Sequence, residues 1–202
     1  MTIYLIRHGQ AAAGVEDLDP GLSELGHQQA RATADALKNL NAGALVVSPL
    51  RRTRETAEPI AAALGLAAQV RDEVAEVFDP SSPAETRRAM IGPFMAGRWS
   101  EQSAELQAWR TRAVDAVLAL GLEWSSRDQD MVIVSHYVAI CAAIGEATGD
   151  DRVIPAPIAN CSITTIEAGH GGLRLVEAGS TAHLAPALVT GVSTALFGPA
   201  AR

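Results

Sequence analysis

The sequence predicts an α/β fold, a three-layer sandwich in which a mainly parallel central sheet lies between two layers of helices. Short apolar runs of strand length alternate with longer segments of helical periodicity, and this alternation is typical of parallel sheets. A chain of 202 residues is long enough for one sizeable hydrophobic core. We therefore predict a single domain over residues 1–202 that carries a short cap insertion.

The first half of the chain predicts three strands and two helices in alternation. Each predicted helix opens on a Ser that can act as its N-cap, and Pro49 stands at a first helical position, where proline is tolerated. The elements are a strand at residues 2–6, a helix from Ser23 to about Leu40, a strand at 44–47, a helix from Ser48 to about Leu64 that Gly65 ends, and a strand at 67–71.

The segment at about residues 77–100 breaks this alternation. It contains Pro80, Pro83 and Pro93 and a short helical pattern at 84–91, which indicates a cap insertion over the edge of the sheet. Strand and helix patterns resume beyond it and close with a Gly-linked hairpin. The elements are a helix at about 102–123, a strand at 131–135, a helix at about 137–148, strands at 163–167 and 173–177, and no assigned element after Pro186.

The charge balance excludes some classes of partner. The 16 basic and 23 acidic residues give a net charge of −7, so we expect no binding to nucleic acid or to an acidic membrane, which need a basic face. A small anionic substrate held by a few local cations stays compatible with this charge. Cys141 and Cys161 make no disulfide framework, and no targeting leader or membrane span is evident. We expect a cytoplasmic protein, either a monomer or a homodimer.

Polar residues that could take part in catalysis or binding follow four of the predicted strands. Because the carboxyl ends of parallel strands meet at one edge of the sheet, we expect these residues to lie close together. They are Arg7 and His8 after the first strand, Ser48, Arg51, Arg52 and Arg54 after the second, Glu73 and Glu76 after the third, and Ser135, His136 and Tyr137 after the fourth.

These residue types are the ones that phosphoryl transfer through a histidine needs. A neutral imidazole is a competent nucleophile near pH 7, and arginines hold the charge spread over the phosphoryl oxygens. A second histidine, if protonated, donates to the same oxygens, and a carboxylic acid protonates the leaving alkoxide. Because the protein itself supplies the positive charge, we expect no metal and no other cofactor.

Ordered sequence blocks resemble those of a known family, the histidine phosphatase superfamily, which has the phosphoglycerate mutase-like fold. The resemblance runs from residue 3 to residue 184 and favours the phosphatase branch. The blocks are Leu5-Ile6-Arg7-His8-Gly9-Gln10, Leu22 to Ala30, Ser48 to Ala57, Val134-Ser135-His136, Asn160 to Thr164 and Thr181 to Leu184.

The resemblance implies a role for each matched residue. His8 is the nucleophile that becomes phosphorylated, Arg7 and Arg52 bind the phosphoryl group, and His136 completes that pocket. Glu76 matches the general acid, with Glu73 as the less favoured alternative.

Three positions depart from the usual family pattern, so the resemblance does not determine the substrate pocket. Gln10 stands where Glu is common, and Tyr137 stands where Gly is usual, so both are candidate substrate-binding residues. Gly14 replaces an Asn that helps many relatives bind phosphate.

The predicted function is hydrolysis of small phosphate monoesters through a phosphohistidine, by a metal-independent hydrolase. The short cap and Gly14 favour this over a cofactor-dependent phosphoglycerate mutase, and a phosphatase of phosphohistidine proteins is a further alternative. A metal hydrolase built on His8, His136 and His183 is disfavoured because two arginines beside His8 would repel a cation. A non-catalytic binding module is disfavoured because all the catalytic residues are present.

Residues outside this set receive structural interpretations. We expect Arg51 and Arg54 to form helix or surface ion pairs, His27 and His170 to face solvent, and His183 to pack with hydrogen bonds. We expect Trp99, Trp109 and Trp124 to pack in the core or cap, with contact between Trp99 and a substrate as an alternative.

Overall fold

The computed structural model describes residues 1–12, 17, 19–77 and 92–192 of the chain. It confirms the predicted α/β class, with one six-stranded sheet among the described residues. The elements are β1 (Thr2–Arg7), α1 (Glu24–Leu37), β2 (Ala42–Val47), α2 (Arg51–Leu64), β3 (Ala68–Val70), α3 (Ala104–Trp124), β4 (Asp130–Ser135), α4 (Tyr137–Thr148), β5 (Ile163–Gly169) and β6 (Gly172–Ser180).

The sheet has the strand order β3-β2-β4-β1-β5-β6. Strands β1 to β4 run parallel, whereas β5 is antiparallel to β1 and β6 is antiparallel to β5, which confirms the closing hairpin. In this register Arg7 at the end of β1 lies opposite Ser135 at the end of β4, and Val47 of β2 lies opposite Val134. Three strands therefore end side by side at one edge, as the sequence predicts.

The core occupies both faces of the sheet, which explains the apolar runs of the central strands. Alternate residues of β4 point to opposite faces, so Met131 and Ile133 pack with α3 and α4, while Val132 and Val134 pack with α1 and α2. All four side chains are fully buried. Helices thus cover both faces, and the predicted three-layer arrangement is correct.

The start of α2 differs from the sequence prediction. Leu50, not Ser48, is the N-cap residue, and it makes no side-chain cap hydrogen bond. The backbone N–H of Ser48 donates to the Val134 carbonyl at 3.2 Å, and its hydroxyl lies 2.7 Å from Nε2 of His136. The Ser48 hydroxyl therefore contacts His136 and does not cap the helix. The chain follows β4 as far as Ser48 before the helix begins.

The end of α1 is also earlier than predicted, at Leu37 instead of about Leu40. The N–H of Leu40 donates to the Leu37 carbonyl in a turn, because β2 begins only two residues later at Ala42. The other three predicted starts among the described helices are close to those observed. Ser23 caps α1 and Ser103 caps α3, each by accepting a backbone N–H, and α4 begins at Tyr137.

Part of the predicted cap is described, and it packs onto the α3 and α4 side of the core. Phe94 and Trp99 are buried, with ring centroids 5.6 Å apart in an edge-to-face arrangement, and Trp99 stacks on Trp109 at 6.0 Å. Trp99 is therefore a core residue, as the packing interpretation predicts. The helical pattern predicted at 84–91 lies outside the described residues. Among the described helices, none combines the length and apolarity that crossing a bilayer requires.

Candidate active site

Of the residues predicted to meet at the sheet edge, Arg7, His8, Arg52 and His136 form one cluster, whereas Arg51, Arg54 and Glu73 are exposed. The backbone N–H of His8 donates to the Ser135 carbonyl at 3.0 Å, which joins the ends of β1 and β4. The rings of His8 and His136 lie with their centroids 5.2 Å apart at an angle of 61°. Arg52, in the first turn of α2, contacts both rings. The parallel register of three neighbouring strands produces this cluster.

The contacts of His8 select one tautomer, in which one ring nitrogen keeps a lone pair. Its Nδ1 lies 2.8 Å from the Gly9 carbonyl oxygen, and since a carbonyl only accepts, Nδ1 carries the proton. Nε2 therefore has the lone pair, and it accepts from Nε of Arg52 at 3.2 Å. Burial, followed by the charges of Arg52 and Arg7, holds the pKa of His8 well below its ordinary value. The imidazole is thus a neutral potential nucleophile.

His136 has the opposite tautomer. Its Nδ1 lies 3.2 Å from Nη2 of Arg52, and because a guanidinium only donates, Nδ1 is the acceptor there. Nε2 then carries the proton and donates to the Ser48 hydroxyl at 2.7 Å. Burial, followed by His8 and the two arginines, lowers the pKa of His136 well below its ordinary value. The ring is neutral in this state, and an anion beside Nδ1 would favour uptake of a proton there.

Within the described residues, Arg7 is oriented by hydrogen bonds to neutral groups. Its Nη1 donates to the carbonyls of Ile158 at 2.8 Å and Gly191 at 2.7 Å, and its guanidinium lies 4.6 Å from the ring centroid of Tyr137. Within the described part of the chain, its buried Nε has no hydrogen-bond partner. Burial lowers the pKa of Arg7, while nearby Tyr137 and Glu76 raise it. These contacts fix the group and leave its positive charge available to an anion.

Glu76 is the carboxyl group predicted to act as the general acid of this cluster. Its Oε1 accepts the N–H of Val77 at 2.9 Å, and its Oε2 accepts that of Val138 at 3.5 Å, in the first turn of α4. Burial raises the pKa of Glu76, and it outweighs the lowering effects of these bonds, Arg52 and Arg7. A raised pKa keeps part of the group protonated at higher pH than usual, as a general acid requires. Glu73, the alternative, is an exposed residue.

The two candidate substrate-binding residues make contacts within the protein. Gln10 accepts a hydrogen bond from the Ser23 hydroxyl at 2.9 Å through its side-chain oxygen, so it connects the loop after β1 to the cap of α1. Tyr137 is buried, with its ring against the guanidinium of Arg7. Gly14 lies outside the described residues. Contact of Gln10 or Tyr137 with a substrate stays a prediction.

Residues given structural interpretations lie largely as expected. Arg51 pairs with Glu55 at 2.7 Å on α2. Nε2 of His183 lies 3.1 Å from both the Thr33 hydroxyl and the Cys161 carbonyl oxygen, in a hydrogen-bonded packing role. His27 is 41% exposed and lies 4.0 Å from Glu55, so it faces solvent only in part. Over the described ranges, no group of three His, Cys, Asp or Glu side chains is arranged to hold a metal ion.

A comparison with known families identifies the class of this chain. A family model described as the histidine phosphatase superfamily (branch 1) matches residues 3–181. The chain therefore belongs to the histidine phosphatase superfamily, as the sequence blocks predict. A relative from Erwinia tasmaniensis, named probable phosphoglycerate mutase GpmB, is 28% identical over 191 residues, covering 83% of this chain and 85% of that protein.

Solved structures support the same fold. The phosphoserine phosphatase of Entamoeba histolytica, in complex with 3-phosphoglyceric acid, aligns with a TM-score of 0.73 at 22% identity, over 91% of this chain and 99% of that one. A mycobacterial glucosyl-3-phosphoglycerate phosphatase aligns with a TM-score of 0.68 at 25% identity, over 89% of this chain and 99% of that one. Phosphatases are thus among its structural neighbours, while a probable mutase is among its sequence relatives.

Proposed function

We propose that this protein hydrolyses small phosphate monoesters through a covalent phosphohistidine on His8. The observation that carries the proposal is the orientation of the His8 ring. Its protonated Nδ1 is turned to the Gly9 carbonyl, and its Nε2 lone pair faces Nε of Arg52, while Nη2 of the same guanidinium contacts His136. A phosphoryl group bound by Arg52 would therefore lie directly in front of the nucleophilic nitrogen.

In the first step, Nε2 of His8 attacks phosphorus and the bond from phosphorus to the ester oxygen breaks. Glu76 gives its proton to that oxygen, so an alcohol leaves and the carboxyl becomes a carboxylate. Arg7 and Arg52 hold the equatorial oxygens as the charge on them shifts, and His136 donates once it is protonated at Nδ1. The raised pKa of Glu76 favours the protonated acid, and the lowered pKa of His8 favours the neutral nucleophile, which are the forms that this step needs.

In the second step, a water molecule attacks phosphorus and the bond to Nε2 of His8 breaks. The Glu76 carboxylate takes a proton from the water, which restores the carboxylic acid for the next cycle. Inorganic phosphate leaves, and His8 returns to its neutral form. The same two arginines serve both steps because the phosphoryl oxygens stay in one place while the attacking group changes.

A phosphoglycerate mutase is the second candidate, because a sequence relative carries that name. The two functions differ in what accepts the phosphoryl group, which is water for a phosphatase and a second hydroxyl for a mutase. We expect purified protein given 3-phosphoglycerate or p-nitrophenyl phosphate to release inorganic phosphate, with EDTA present. Isomerisation of 3-phosphoglycerate without release of phosphate would contradict the phosphatase proposal, and so would inactivity towards a broad panel of monoesters.

The role of Glu76 is tested by Glu76→Gln with p-nitrophenyl phosphate, whose leaving group needs little protonation. We expect a burst of nitrophenol close to one equivalent of enzyme, followed by a steady rate about 100-fold below that of the wild type, because the variant lacks the base for the second step. Glu73→Gln is the matched control and should keep wild-type kinetics. A burst in Glu73→Gln and not in Glu76→Gln would reverse the assignment.

The same two variants test the pH dependence of kcat/KM for 3-phosphoglycerate, whose alkyl leaving group needs the proton of Glu76. Activity needs neutral His8 and protonated Glu76, so it falls at low pH as His8 gains a proton and at high pH as Glu76 loses one. Because the pKa of His8 is lowered and that of Glu76 is raised, the optimum should lie on the acidic side of neutrality. Glu73→Gln should retain the alkaline limb, and Glu76→Gln should lose it. An alkaline limb kept in Glu76→Gln would contradict this role.

A further inference from the structure

The chain returns to the pocket after β6, and it does so through a segment for which the sequence predicts no element. This docked segment, Leu188–Gly191, begins at the last residue of a short helical turn, Pro186–Leu188. The side-chain nitrogen of Gln29, a buried residue of α1, donates to the Leu188 carbonyl at 2.7 Å and to the Thr190 hydroxyl at 2.8 Å. The backbone N–H of Asn160 donates to the Thr190 carbonyl at 2.9 Å.

The last residue of the docked segment contacts a predicted phosphate-binding group. The Gly191 carbonyl oxygen accepts a hydrogen bond from Nη1 of Arg7 at 2.7 Å. Gly191 has a φ of +76°, in the left-handed region, and a Cβ added to it would overlap the Asn160 side-chain oxygen and lie 3.0 Å from Nη1 of Arg7. Backbone conformation and space therefore both require glycine where the segment meets Arg7.

We propose that the docked segment is a positioning element of the phosphate pocket, which holds Arg7 in its phosphate-binding orientation through the Gly191 carbonyl. The inference rests on the proposed function of Arg7. Two carbonyls, from Ile158 and Gly191, fix Nη1, while the ring of Tyr137 lies against the guanidinium. A carboxylate in place of the Gly191 carbonyl would orient Arg7 equally well but would neutralise its charge. Neutral acceptors orient the guanidinium and leave its charge for the phosphoryl oxygens.

Asn160 connects the docked segment to the nucleophile as well. Its side-chain nitrogen donates to the His8 carbonyl at 3.0 Å, and its side-chain oxygen accepts the Thr190 hydroxyl at 3.3 Å. Displacement of the segment would therefore disturb two neighbouring residues of the pocket, Arg7 through its side chain and His8 through its backbone.

The test compares Gly191→Ala with Gly149→Ala. Gly149 has a similar φ of +70°, but a Cβ added there meets nothing within 4 Å, so the control carries the same backbone strain without the overlap. We expect Gly191→Ala to lower kcat/KM for p-nitrophenyl phosphate by roughly 10- to 100-fold relative to Gly149→Ala, because small displacements of a binding group have effects of this size. Both variants should stay folded at the assay temperature, which their Tm values check. Equal kcat/KM in the two variants would overturn the proposal.

Binding of inorganic phosphate, measured by calorimetry, separates this proposal from the proposed function. Gly191→Ala should bind phosphate more weakly than Gly149→Ala, whether or not the wild type hydrolyses any ester. By linkage, phosphate should also slow hydrogen exchange at Thr190 and Gly191 in the wild type. Inactivity of the wild type with this binding difference intact would overturn only the proposed function. Equal phosphate affinities in the two variants would overturn the positioning role.

Discussion

His8→Ala is expected to lower kcat/KM for p-nitrophenyl phosphate by roughly 10⁴-fold or more, since loss of a nucleophile in a concerted site removes most of the rate enhancement. The variant keeps the arginines and can still bind a phosphoryl group, but no side chain is left to accept it from the ester. Phosphate should therefore still bind to His8→Ala in calorimetry while turnover is lost. This pairing separates loss of chemistry from loss of the pocket.

His170→Ala is the control for His8→Ala, because His170 is exposed in the turn between β5 and β6, away from the cluster. It should retain the wild-type kcat and KM. Turnover by His8→Ala at the wild-type rate would mean that water attacks the ester directly, and the covalent mechanism would have to be abandoned.

Arg52→Lys is expected to lower kcat/KM by about 10³-fold, the size of effect that follows loss of an arginine from a phosphoryl-transfer site. Arg52 uses two different nitrogens at once, Nε towards His8 and Nη2 towards His136. A lysine keeps the charge but has a single ammonium group, so it cannot reproduce the two-point contact. The expected failure of the conservative variant thus distinguishes geometry from charge.

Arg54→Lys is the matched control for this change, since Arg54 is an exposed residue of the same helix. It should have the wild-type kcat/KM.

Arg52→Leu should move the acid limb of the pH profile of kcat/KM to higher pH, because the charge of Arg52 is one cause of the lowered pKa of His8. Wild-type kcat/KM in Arg52→Lys would show that charge alone suffices, and an unmoved acid limb in Arg52→Leu would contradict the assignment of that limb to His8.

Most of the fold could be predicted from the sequence because its signals are local. The apolar run of β4 and the helical pattern of α4 are observed within a residue of their predicted bounds. The meeting of Arg7, His8, Arg52 and His136 followed from one rule, that the ends of neighbouring parallel strands share an edge. The rule needs only the order of elements, so it worked although the pairing of individual strands was not predicted.

The rest of the site depends on contacts between residues distant in sequence. Ser48 has the local pattern of a helix cap, but its hydroxyl contacts His136, 88 residues away. The carbonyls of Ile158 and Gly191 that hold Arg7 are backbone atoms, which have no sequence signature. Asn160 belonged to a matched block, so the signal was present, but nothing in the sequence indicated that its side chain would contact the His8 carbonyl.

The central claim is that His8 accepts the phosphoryl group, and direct trapping of that intermediate tests it. Glu76→Gln is mixed with p-nitrophenyl phosphate, denatured at alkaline pH within the burst, digested and analysed by peptide mass. We predict the mass of one phosphoryl group on the peptide that contains His8. Release of a full equivalent of nitrophenol with no phosphoryl group on that peptide, or with the group on another residue, would contradict the proposed mechanism.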